Sequence, residues 1–164
     1  MRKLLFFLAI IALQGALEVL LPRGISAPDL FLLTALILAA RLPPTWGMLA
    51  AYGVGLTQDI LGHGLLGLHA AALAGGTLLF YGVRQLLNSN TPLHEAAGIV
   101  VAVAGQWATF LILTYWLRSN LVTVSTLTLV LPLHLLLTLL IFPLVYRAGR
   151  WAFGRIPSTD DQLA

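Results

Sequence analysis

Charged residues in this chain stand almost entirely between apolar runs rather than within them, and that placement restricts the solvent in which it can fold. Only 9% of the 164 residues are charged, while 59% are hydrophobic. A soluble domain of this length needs far more charge on its surface, so the composition points to a membrane protein. At roughly 20 residues per span the chain holds about six helices joined by short loops, with no room for a soluble domain. A β-barrel would alternate polar and apolar positions, whereas these runs are continuously apolar. Cysteine is absent, which excludes disulfides and thiolate chemistry. The net charge of +3 and pI near 9.8 come from arginines scattered at span ends. That scatter fits membrane topology rather than a nucleic-acid surface.

The expected architecture is an all-α polytopic membrane bundle of six transmembrane helices. The spans fall at about 4–21, 27–40, 45–61, 65–83, 92–117 and 126–146 within one domain (1–157), followed by a polar tail at 158–164. The first run resembles a signal peptide, but it is long, contains Gln14 and Glu18, and has no clear cleavage site. Ser26 is placed to cap span two, with Pro28 in its first turn and Asp29 as a capping-box-like carboxylate. Pro92 suits the first position of span five. Pro132 and Pro143 are candidate kinks in span six.

Orientation follows from the basic residues. With the N-terminus inside, Arg2, Lys3, Arg41, Arg84, Arg147, Arg150 and Arg155 fall on the cytoplasmic side, and only Arg23 and Arg118 fall outside. Both termini are therefore expected in the cytoplasm. Arg147, Arg150 and Arg155, interleaved with Trp151 and Phe153, form a cytoplasmic basic edge able to meet anionic lipid. Glu18, Asp29, Asp59, His63 and His69 come out together near the outer face. Glu95 and the tail aspartates are the acidic groups at the inner level.

The segment from Trp46 to Gly76 is the most patterned. Gly47, Ala51, Gly55 and Asp59 recur at every fourth position, and Gly67, Ala71 and Gly75 repeat the spacing after a glycine turn. Small ridges of this kind let helices approach closely in lipid, where packing replaces the hydrophobic effect. Either ridge is a candidate groove for a partner helix, and the two together read as a packed hairpin. Asp59 continues the first ridge. A structural role (bonding the turn at 62–64, or pairing with His63 or His69) and a ligand or partner contact both stay open for it. Asp29 is explained by capping, and Glu18 by pairing with Arg23 or Arg118. His69 and His134 read as interhelical hydrogen-bonding residues.

An ionisable residue within a span is a functional-site hypothesis by default, yet no catalytic constellation accompanies these. His63 and His69 have no recognised metal-ligand spacing. There is no GxSxG, no phosphate-binding loop and no dinucleotide fingerprint. No enzyme activity and no cofactor are expected.

Pro28-Asp29-Leu30 opening an apolar helix, then Trp46-Gly47, Gly55-Leu56, Asp59-Ile60-Leu61 and Gly67-Leu68-His69-Ala70 in order, resembles the rod shape-determining MreD family. The similarity covers about residues 28–70. It implies a non-enzymatic, multi-pass subunit of the bacterial cytoplasmic membrane that serves as a scaffold in the elongasome. That machine maintains cell shape and inserts lateral peptidoglycan. The implied direct partner is MreC; RodA, a class B penicillin-binding protein and MreB are direct or indirect partners, and no nucleic acid is involved. The family's arrangement is also said to resemble the substrate-binding S-components of energy-coupling-factor transporters. The alternative expectation is accordingly a small-molecule-binding transporter subunit, motivated by the outer polar residues.

Overall fold

The computed structural model describes residues 1–21, 27–62, 65–86, 92–117 and 130–154. His63, Arg155, Arg23, Arg118, Ser26, the side chain of Glu95 and the polar tail lie outside the described residues. All regular structure among the described residues is helical: α1 Arg2–Leu20, α2 Leu30–Ala39, α3 Pro44–Gly62, α4 Leu68–Leu86, α5 Pro92–Trp116 and α6 Leu131–Phe153. Among the described residues, three helices are long and apolar enough to cross a membrane: Arg2–Leu20, Ala96–Trp116 and Leu131–Phe153.

The organising element is α2. Its sequence, LFLLTALILA, has no polar face, and a helix apolar all round belongs in an interior. Leu30, Leu32, Leu33, Thr34, Ala35 and Ala39 are fully or almost fully buried. The other helices form a wall around it. Neighbours along that wall are α1 with α6, α6 with α5, α5 with α4, and α4 with α3. Among the described residues the backbones of α1 and α3 do not come together, which leaves an open seam in the wall with α2 as its floor.

Glycines decide how closely the wall closes. A Cβ at Gly47 would sit inside the Tyr81 phenol and 3.1 Å from the Ala39 Cα. At Gly55 it would meet the backbone of Ala70 and His69, the Ala70 nitrogen at 2.7 Å. At Gly75 it would meet the Thr109 side chain, and at Gly76 the Ala102 carbonyl at 2.6 Å. Ala51, on the same ridge, is fully buried. The first ridge is thus used within the bundle, against α2 and α4. On the second ridge Gly75 packs against α5, while a Cβ at Gly67 would meet nothing within 4 Å.

Helix bounds differ from the sequence reading at several places, and α4 runs three residues later at both ends. Asp29, rather than Ser26, is the N-cap of α2. At the other end of the chain, α6 continues seven residues beyond Tyr146 to Phe153. Gly149 packs there on Ile37, and Arg150 in the last turn complements the helix dipole. Gly154, at φ 84°, ends it. Pro132 sits in the first turn of α6, where a proline costs no hydrogen bond, and Pro143 is the proline inside the helix.

Polarity runs inside-out. Gln14, Asp29, Thr34, Asp59, Thr77, Gln106 and Thr138 are buried, while Leu4, Leu8, Ile112, Leu136, Leu140 and Leu144 are exposed. Exposed Trp46 and Trp151 lie toward one end and exposed Tyr115 and Trp116 toward the other, as aromatic side chains do at two membrane interfaces. The described basic residues gather at the first of these ends. Arg2 stacks over Trp151, and Lys3 and Arg41 over Phe153, at about 6 Å.

Replacing Gly47 with alanine should lower stability by about 1–3 kcal/mol through overpacking against Tyr81. Alanine at Gly15, where a Cβ meets nothing within 4 Å, should instead raise it by roughly 0.5–1 kcal/mol. Thermal unfolding of both variants in detergent checks the pair.

Candidate functional site

Two carboxylates organise the end of the bundle opposite the basic one, and each finishes a buried helix terminus. The first amides of a helix have no intrahelical acceptor, and in an apolar interior each unmet donor costs about 1–3 kcal/mol.

Asp59, at the end of α3, serves the start of α4. Its side chain is wholly buried. Oδ2 accepts the N–H of Gly67 at 2.8 Å and of Ala70 at 3.2 Å. Oδ1 accepts the N–H of His69 at 3.0 Å and lies 2.8 Å from the His69 Nδ1. Gly67 turns the chain at φ +93°, a conformation that favours glycine. Gly55 packs directly against the Ala70 backbone, where a Cβ on Gly55 would not fit. Gly55, Asp59, Gly67, His69 and Ala70 therefore form one interhelical lock with the negative charge at a helix N-terminus, where it is stabilising. Pairing with His69 is one of the structural roles that the sequence left open for Asp59.

Asp29 does the corresponding work for α2, with help from three other helices. Its Oδ1 accepts the Leu32 N–H at 2.7 Å, and its Oδ2 accepts Gln106 Nε2 of α5 at 2.6 Å. The Asp29 N–H donates to Thr138 Oγ1 of α6 at 3.2 Å. That hydroxyl in turn donates to the His134 carbonyl at 2.7 Å. Leu30 N–H donates to Gln14 Oε1 of α1 at 3.1 Å, and Gln14 Nε2 donates to Glu18 at 2.9 Å. The C-terminal carbonyls of α2 are met in the same way. Arg41 reaches Ile37 O at 2.6 Å, Arg84 reaches Ala40 O at 3.1 Å, and Tyr81 reaches Ala39 O at 2.8 Å.

A ten-residue helix is about 15 Å long, roughly half the length of its neighbours. The space beyond its N-terminal end is a cavity of about 260 Å³. Every other helix contributes to its wall: Gln14 and Glu18 from α1, Gln58 from α3, His69 from α4, Gln106, Trp107 and Phe110 from α5, and His134 from α6, with Asp29 below. Trp107 meets His134 edge-on, with ring centroids 6.1 Å apart, and Phe110 lies 5.6 Å from the His69 ring. Glu18, Asp29 and His69 thus come together at one site. Asp59 stands behind His69, its oxygens committed to the α4 terminus. Glu18 accepts from Gln14; Arg23 and Arg118, with which the sequence reading paired it, lie outside the described residues. No group of three metal-ligating side chains occurs among the described residues. At the opposite end, Arg147 and Arg150 are exposed on the last turns of α6.

The sequence reading passed over the neutral members of this site. Gln58 and Gln106 are uncharged, so no charge pattern marks them. The available signal was an amide inside an otherwise apolar run, which is costly unless partnered. No family model, curated protein or solved structure matches this chain.

Asp59→Ala should expose three backbone amides to exchange. Hydrogen exchange at Gly67, His69 and Ala70 is expected to accelerate, with a loss of about 2–4 kcal/mol in stability. Unchanged protection at those amides would contradict the capping role.

Proposed function

We propose that the chain is an integral-membrane scaffold of the MreD type, a non-enzymatic elongasome subunit of the bacterial cytoplasmic membrane that binds MreC. The observation that carries this reading is the open seam between α1 and α3. A groove of about 450 Å³ runs there over α2, lined by Phe7, Ile10 and Ile11 on one side, Ala50, Gly53 and Val54 on the other, and Phe31, Thr34 and Leu38 below. A transmembrane helix docks by close contact with small residues and by matching polar groups. Gly53 offers the first, since a Cβ there meets nothing within 4 Å. On the floor beneath, Thr34 is fully buried and its Oγ1 has no hydrogen-bond partner among the described residues. Further support comes from the resemblance itself, whose residues Gly55, Asp59, Gly67 and His69 act as one unit rather than as scattered matches.

In this reading all six helices cross the membrane in alternation, α2 as a short, fully enclosed segment, with both termini cytoplasmic. The gathering of Arg2, Lys3, Arg41, Arg84, Arg147 and Arg150 at one end supports that orientation. RodA, the class B penicillin-binding protein and MreB are reached directly or through MreC. A small-molecule-binding transporter subunit is the second reading, favoured by the polar cavity beside Asp29.

Gly53→Leu fills the groove without touching the bundle interior. It should preserve the unfolding midpoint and abolish co-purification with MreC, whereas Gly55→Leu should unfold the α3–α4 hairpin. Wild-type recovery of the complex by a folded Gly53→Leu variant would refute the groove. Orientation has its own check in the cysteine-free background. A single cysteine at position 63 should react with an impermeant reagent in intact cells, and one at position 88 should not.

A further inference from the structure

We infer that the cavity above Asp29 is a binding site for a small organic cation bearing N–H donors, of the ammonium or amidinium class. The argument begins with Gln106, whose side chain is more than nine-tenths buried. Its Nε2 donates to Asp29 Oδ2 at 2.6 Å. Chemistry fixes this orientation, because turning the amide over would set its oxygen against a carboxylate oxygen. The Oε1 of this wall residue is thereby left with no hydrogen-bond partner among the described residues. Gln58 Oε1, also on the wall and buried, has none either.

Both unmet groups are acceptors, and both carboxylates of the wall, Glu18 and Asp29, are acceptors as well. No lysine or arginine lines the cavity among the described residues. A ligand that satisfies Gln58 and Gln106 must bring donors, and with His69 already paired to Asp59 the wall carboxylates Glu18 and Asp29 favour positive over negative charge. Trp107 and Phe110 add aromatic faces on which a cation or a flat amidinium stacks. An anion or an acceptor-rich neutral molecule would leave Gln58 and Gln106 unmet and oppose the carboxylates. The site owes nothing to the α1–α3 groove, so the inference stands apart from MreC docking.

The same head-group chemistry occurs in free amines and in phosphatidylethanolamine, and the experiment separates the two sources. The full chain in phosphatidylcholine nanodiscs is titrated by calorimetry with benzylammonium and with benzamidinium, using benzoate and benzyl alcohol as neighbours of similar size. Saturable binding of the two cations, with neither control binding, is the expected result. Gln58→Leu, which leaves the Asp29 network intact, should weaken cation binding about tenfold, the loss of one charge-assisted hydrogen bond. Repeating the titration in nanodiscs containing phosphatidylethanolamine identifies the source. A raised apparent Kd means that the lipid head competes for the site, and an unchanged one means that free amines are its ligands. No saturable cation binding at millimolar concentration (a cavity that takes water only), equal binding of benzoate, or an unaltered Kd in a folded Gln58→Leu variant would overturn the inference.

Discussion

Burying both ends of a ten-residue helix obliges the surrounding helices to supply its missing hydrogen-bond partners, and most of this bundle's polar architecture follows from that obligation. Asp29, Gln14 and Thr138 serve the N-terminal amides of α2 and its cap. Arg41, Tyr81 and Arg84 serve its last carbonyls. These side chains come from every part of the wall except α3, and Gln106 of α5 holds the carboxylate in turn. Unmet buried backbone groups are expensive, so the requirement fixes the register of the neighbours as well as their proximity. Asp59 repeats the solution on α4, with the difference that a single carboxylate suffices.

Much of this arrangement could be read from the chain, for reasons particular to certain residues. The four-residue spacing of Gly47, Ala51, Gly55 and Asp59 reports a helix face directly, and that face is the one against which α4 packs. What spacing does not report is whether the partner surface belongs to the same chain. Tyr81 and Ala70 answer that only in three dimensions. Span two shows a related limit. A run with no polar face is equally suited to lipid and to an interior, so composition could not separate the core helix from the wall helices around it. Its shortness was the clue, since ten residues cannot cross a hydrocarbon layer of about 30 Å alone.

The polar site was half legible. Charge marked Glu18, Asp29 and His69 as neighbours at one level of the bundle. The glutamines escaped because a neutral amide carries no topological signal, and their meeting depends on contacts as distant in sequence as Asp29 with Gln106. The cavity itself has no sequence signature. It is the volume left where the central helix stops while its neighbours continue, bounded by whatever those neighbours present at that height.

The enclosure of α2 also bears on how such a chain is made. A ribosome delivers helices to the membrane in order, and α2 emerges second. Its ends find Tyr81 and Arg84 only after α4 has arrived, Gln106 only with α5, and Thr138 only with α6. Until then the segment has an incompletely bonded carboxylate and the unmet Asp29 N–H at one end, and too little length to span by itself. Its final position is therefore set late, when the last helix closes on it, and truncation before α6 strands the core element rather than trimming the periphery.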